Sequence, residues 1–192
     1  MNEIIIYFRR RKELIIVLAI LFVMGFLIGA FLGFTNLEVL KDHVLFFASH
    51  IIDYRYTLLF AHFTFLSLGV VLSLVGIGIP ILFSLFFLEA LSLGLLISLF
   101  FSLYFFKGLV FAFLFFLTLK GFYVLALFFL ISKCFKMTPK VLFQSLNNKE
   151  YDLKIKKLAL SCFILIFFVF FFDFFLSIFG SKFIHLFSFL LT

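Results

Sequence analysis

Tryptophan is missing from this 192-residue sequence, proline and cysteine occur twice each, and only 13% of the residues are charged. Soluble domains carry about 25% charged residues, so an ordinary water-facing surface is excluded. Without Trp, the aromatic content reads as lipid-facing bulk and core filler, not as a set of nucleotide-stacking platforms. The cysteines, Cys134 and Cys162, fall in or beside the segment assigned below to the cytoplasm, where thiols stay reduced, so no disulfide is expected. The sequence also lacks G-x-x-x-x-G-K-[ST], H-E-x-x-H, C-x-x-C and G-x-S-x-G. An intramembrane protease would need a Ser–His pair, paired Asp residues or a metal constellation, and none of these patterns is found. No catalytic residue and no cofactor is therefore assigned.

What the chain has in abundance is apolar surface. Hydrophobic residues make up 66% of it, 38 of them Phe, and the mean hydropathy is +1.35. A soluble domain holds about 45–50% apolar residues, so lipid is the main solvent and the length fits one membrane domain over residues 1–192. The net charge of +7 does not point to nucleic acid, because the basic residues lie in short segments between apolar runs and form no face of a folded domain. Beside membrane spans such charges favour the cytoplasmic side and anionic headgroups.

A bilayer core about 30 Å thick takes about 20 apolar residues as helix. By that measure Leu14 to Phe34, after Arg9, Arg10, Arg11 and Lys12, is the first span, and it is too long for a signal peptide. Residues 35–57 mix Glu38, Lys41, Asp42, His43, His50, Asp53 and Arg55 with apolar residues and read as an outer amphipathic helix at the interface. Leu58 to Leu103 contains one charge, Glu89, and is long enough for two spans, 58–79 and 81–103, with Gly76, Gly78 and Pro80 at the turn between them. Lys107 and Gly108 break the next run, which gives a fourth span over 108–132. A polar loop over 133–157 follows, then a fifth span over 158–179 and an interfacial tail over 183–191. The expected fold is thus an all-α, polytopic membrane helix bundle of about five spans.

Orientation follows from the basic residues. The N-terminal segment and the 133–157 loop hold 11 of the 16 Lys and Arg, and five spans put both on one side. The positive-inside rule makes that side the cytoplasm. The N-terminus is then inside, the C-terminus outside, and the expected location is the cell membrane as a multi-pass protein.

Gly25, Gly29 and Gly33 make two overlapping G-x-x-x-G steps on one face of the first span, a spacing that lets a neighbouring helix approach closely. Glu89, Lys120 and Asp173 are the charges deep within spans. At 1.5 Å per residue they lie about 12, 18 and 23 Å from the cytoplasmic ends of their helices. Bare charges at such depths are costly, so Lys120 is expected to pair with Glu89, Asp173 or both. His43, His50 and His62 with Asp53 do not have the spacing of a metal site.

The stretch Gly76-Ile-Gly-Ile-Pro80, followed by Glu89-Ala-Leu-Ser-Leu-Gly94 and Phe106-Lys-Gly108, resembles the middle of the stage II sporulation protein M family of spore-forming Firmicutes. The basic residues before Leu14 and the glycines from Gly25 to Gly33 are similar to that family's opening, so the resemblance runs over about residues 5 to 175. The chain departs from the family at Leu119-Lys120-Gly121, where members often show a Pro-Gln-Asn type break. The resemblance implies a non-enzymatic membrane scaffold of the sporulation engulfment machinery. Such a scaffold localises the septal peptidoglycan hydrolases, stage II sporulation proteins D and P, during peptidoglycan remodelling. The partners expected are therefore membrane lipids and those two proteins, with no nucleic acid. A small transporter or ABC-type permease subunit is the alternative expectation, and it predicts a polar cavity and often an internal repeat.

Overall fold

The computed structural model describes residues 12–38, 55–73, 77–144 and 149–187. Among the described residues the chain is all-helical: α1 Lys12–Thr35, α2 Arg55–Ser73, α3 Gly78–Leu119, α4 Gly121–Gln144 and α5 Lys149–Phe187. Three stretches, Lys12–Thr35, Gly78–Leu114 and Lys156–Leu176, are long and apolar enough to cross a membrane, and Phe60–Ser73 and Gly121–Phe135 are shorter apolar helices. Helices suit such a sequence because lipid offers no partner for a free backbone N–H or C=O.

Helix α3 is two limbs. Phe105 has φ 53 and ψ −134, which are not helical. Beyond it the chain folds back: a Cβ added at Gly108 would overlap the Phe100 carbonyl, and the Phe100 and Phe111 rings lie 5.0 Å apart. In a straight helix residues eleven apart are separated by about 16 Å. The reversal therefore comes at Phe105 and not at Lys107 and Gly108, so the fourth pass begins earlier than the expected 108–132. Positive φ is costly for a residue with a Cβ, and no Gly or Pro marks the position. The second limb then meets α4 at Lys120, where φ is −121. Hydrogen bonds from Lys120 N to Phe116 O (2.8 Å) and from Val124 N to Lys120 O (2.9 Å) carry the helical course across this step.

The neighbouring contacts fix helix directions. Gly25, Gly29 and Gly33 of α1 meet Phe87, Leu91 and Ser98 of α3 in ascending order, so these two run parallel. His62 and Phe63 of α2 face Asp173 and Phe170 of α5, which run the other way. Phe122 and Lys133 of α4 face Phe172 and Ser161 of α5 in descending order, again antiparallel. These are the relative directions of five successive passes.

The turn before α3 lies where Gly78 and Pro80 were expected; Gly76 lies outside the described residues. A Cβ at Gly78 would overlap the Gly69 carbonyl of α2, so the close approach of turn and helix requires glycine. Pro80 is the third residue of α3, where its missing N–H breaks no helical bond.

Two boundaries differ from expectation. The polar stretch 133–157 is not a loop throughout, because α4 continues to Gln144 and α5 starts at Lys149. Lys and Glu are good helix formers, so polarity there marks where the helices leave the apolar zone and not where they end. At the other end, α5 continues past the expected end of the fifth span at Phe179, through Gly180 to Phe187. Of the amphipathic segment 35–57, residues 39–54 lie outside the described residues.

The core gathers on α2, α4 and α5, with Leu18 of α1 and Leu82 and Phe86 of α3. Leu66, Leu127, Leu130 and Ile131 are fully buried. Outward positions are apolar too, as with Phe31, Phe106 and Phe167, each 66% exposed or more. That is the pattern of a bundle whose solvent is lipid.

Candidate functional site

The glycine face of α1 is used within the chain. A Cβ at Gly29 would overlap the Leu91 carbonyl, and one at Gly94 of α3 would overlap the Phe26 carbonyl. Each helix thus lays backbone against the other's glycine. Close packing of this kind replaces the hydrophobic driving force that lipid removes. Ser98, whose Oγ hydrogen-bonds the Leu95 carbonyl at 2.9 Å, lies beside Gly33.

The intramembrane charges form pairs. Lys120 Nζ donates to Glu89 Oε2 at 2.7 Å, linking the step between α3 and α4 to the first limb of α3. Ser92 sits one turn along from Glu89; its hydroxyl donates to the Glu89 carbonyl at 2.9 Å and reaches Glu89 Oε2 at 3.5 Å. Asp173 does not bond to Lys120. Its Oδ2 lies 3.0 Å from Nδ1 of His62 on α2. The His62 ring stacks on Tyr123 of α4, with centroids 4.0 Å apart and planes inclined by 17°. Tyr123 is 2% exposed and lies close enough to both Glu89 and Asp173 to feel their charge.

Five ionisable side chains on α2, α3, α4 and α5 therefore share one layer, with Tyr123 between the two pairs. Each carboxylate has a cationic or protonatable partner from another pass or limb. This fixes helix register as well as satisfying charge, because sliding α2 along α5 by one turn would separate His62 from Asp173 by about 5 Å. The sequence expectation covered Glu89, Lys120 and Asp173 but not His62 or Tyr123. Chain spacing sets His62 beside only His43, His50 and Asp53, which lie outside the described residues. Among the described residues no three His, Cys, Asp or Glu side chains converge as metal ligands.

A second polar layer lies on α2, α4 and α5. Lys133 of α4 donates to the Ser161 carbonyl at 3.3 Å and to the Ser161 hydroxyl. Next to them in the chain, Cys134 of α4 and Cys162 of α5 belong to one core cluster, and Ser73, whose hydroxyl donates to the Val70 carbonyl at 2.6 Å, is buried at the end of α2. Both sulfurs are free and fully buried. Eleven residues separate His62 from Ser73 and Cys162 from Asp173, or about 16 Å along either helix. The space between the layers is filled by Leu66, Val70, Leu127, Leu130, Ile166 and Val169, none more than 2% exposed.

No protein-family model, no curated protein and no solved structure matches the chain.

Proposed function

We propose that this protein is a multi-pass component of the cell membrane that works as a non-enzymatic scaffold, holding peptidoglycan hydrolases of the sporulation engulfment machinery at the septal membrane. The observation that carries the reading is the inward use, among the described residues, of the α1 glycines and of the charges deep within the spans. The α1 glycines close on α3, Lys120 holds Glu89 and His62 holds Asp173, and the outward positions are left apolar. A bundle pinned in this way is a rigid anchor. The apolar slab of Leu66, Val70, Leu127, Leu130, Ile166 and Val169 between the two polar layers weighs against the alternative of a transporter or permease subunit, which needs a polar passage.

The partners come from the resemblance to stage II sporulation protein M carried by Gly76 to Pro80, Glu89 to Gly94 and Phe106 to Gly108. The test is affinity capture of the tagged full-length chain from detergent-solubilised sporulating cells. Co-recovery of stage II sporulation proteins D and P, together with an engulfment block when the gene is deleted, is the expected result. Normal engulfment in the deletion strain would refute the reading.

A further inference from the structure

The reversal at Phe105 turns three consecutive side chains away from the bundle. Phe105 and Phe106 are 70% and 78% exposed, more than any other large hydrophobic side chain among the described residues. Lys107 is exposed beside them and belongs to neither ion pair found among the described residues. Height along the bundle sets this trio apart from the lipid-facing rings. Ser98 lies beside Gly33 of the parallel helix α1, which ends at Thr35, so Phe105 stands roughly 8 Å beyond the end of α1. The first limb of α3 measures about 40 Å from Gly78 to Tyr104, against about 30 Å for the hydrocarbon core and about 40–45 Å with the headgroups. The turn therefore lies at the headgroup layer and not within the acyl chains. Its backbone, with φ 53 and ψ −134 at Phe105, is close to the first central position of a type II′ turn, where glycine is the usual residue. Strain of this kind clusters where a side chain is needed in place.

We propose that Phe105, Phe106 and Lys107 form a docking tip for phospholipid headgroups at the membrane face where α1 ends, with the two rings seated at the boundary between headgroups and acyl chains and the Lys107 ammonium on a lipid phosphate. The side chains divide as that layer does. The rings leave water for the upper acyl region, the lysine stem lies along it, and the charged end reaches the phosphates. Charge complements the occupant, because Lys107 is the one cation and no acidic residue occurs between Glu89 and Lys120. The tip also has a firm base. Both rings stand edge to face with Phe101, at 6.3 and 6.1 Å, and below them Phe100, Phe111 and Ala112 pack as a small core of their own. Glycine at position 105 would turn the chain more easily but would offer the lipid no ring, which accounts for a phenylalanine in the strained position.

The chain has no tryptophan, so one introduced indole is a clean fluorescent reporter. The test places full-length Phe106→Trp in nanodiscs of phosphatidylcholine and phosphatidylglycerol whose lipids carry a nitroxide quencher either on the headgroup or at mid-chain. Leu27→Trp, on the lipid-facing side of α1 and roughly 20 Å deeper, is the reference. The Phe106→Trp indole should be quenched at least about twofold more by the headgroup label than by the mid-chain label, and Leu27→Trp should show the opposite order. Adding Lys107→Gln or Phe105→Gly to Phe106→Trp should lower the headgroup quenching at least about 1.5-fold. The same label order at both reporters would overturn the proposal, as would headgroup quenching unchanged by both added substitutions. Quenching of Phe106→Trp by aqueous acrylamide and by neither lipid label would place the tip in water and overturn it too. So would an indole that none of the quenchers reaches, which is the mark of a protein partner on the tip. Phe105→Trp carries the same comparison should Phe106→Trp fail to fold.

Discussion

Replacing Lys120 by leucine would remove the ammonium that donates to Glu89 at 2.7 Å. The carboxylate would keep only the distant Ser92 hydroxyl at 3.5 Å. Removing one partner of a fully buried pair costs about 3–5 kcal/mol, whereas exposed pairs contribute about 0–1 kcal/mol. The side chains here are 29% and 13% exposed, so Lys120→Leu should cost about 2 kcal/mol, between those limits. Adding Glu89→Leu removes the stranded charge and should recover about 1.5 kcal/mol of that loss, more than the ~0.6 kcal/mol average for hydrogen bonds between membrane helices because both groups are charged. Asp173→Leu in place of Glu89→Leu should couple less, since Asp173 has its own partner in His62. The assay is reversible unfolding in bicelles, by steric trapping, for the wild type, both single variants and the double variant. A Lys120–Glu89 coupling below about 0.5 kcal/mol would refute the pairing argument.

Three further outcomes follow from the packing and the charge distribution. Gly29→Ala should destabilise the bundle by about 2–4 kcal/mol in the same assay, because its Cβ would overlap the Leu91 backbone carbonyl and α1 would have to move away from α3. Gly121→Ala should be neutral or stabilise by up to about 1 kcal/mol, since its Cβ would meet only Leu117 Cδ1 at 3.5 Å and alanine is the better helix former. For topology, a single cysteine at Thr35 in a Cys-free background should react with a membrane-impermeant maleimide on intact cells and one at Asn148 should not. The reverse pattern would refute the orientation.

The parts of this architecture that depend on local composition could be read from the sequence. Apolar runs revealed the passes, the four-residue spacing of Gly25, Gly29 and Gly33 revealed a close-packing face, and the rarity of Lys120 and Glu89 within such runs revealed a pair. His62 and Asp173 were beyond that reach. They stand 111 residues apart, and no spacing rule joins positions that only the antiparallel packing of α2 and α5 brings together. The reversal at Phe105 was hidden for a different reason. It uses positive φ at a residue with a bulky side chain, so no breaker residue announces it, and Lys107 and Gly108 two or three positions later drew the boundary instead. Polarity over 133–157 misled because charge reports the surroundings of a helix, not its continuity.

The distance along the chain between the two halves of the His62–Asp173 pair also bears on how the protein is made. Before the ribosome has added α5, α2 already has to enter the bilayer with an imidazole and without the Asp173 carboxylate that meets it. Its apolar stretch, Phe60–Ser73, is among the shorter ones, so α2 is poorly suited to stay inserted alone. Lys120, by contrast, follows Glu89 by only 31 residues. Helices α1 and α3 can close their glycine contact early, and α3 its Glu89–Lys120 pair, forming a platform on which α2 waits. The arrival of α5 then completes the His62 pair and the contact of Lys133 with Ser161 together, which makes α5 the helix that commits the bundle to its final form.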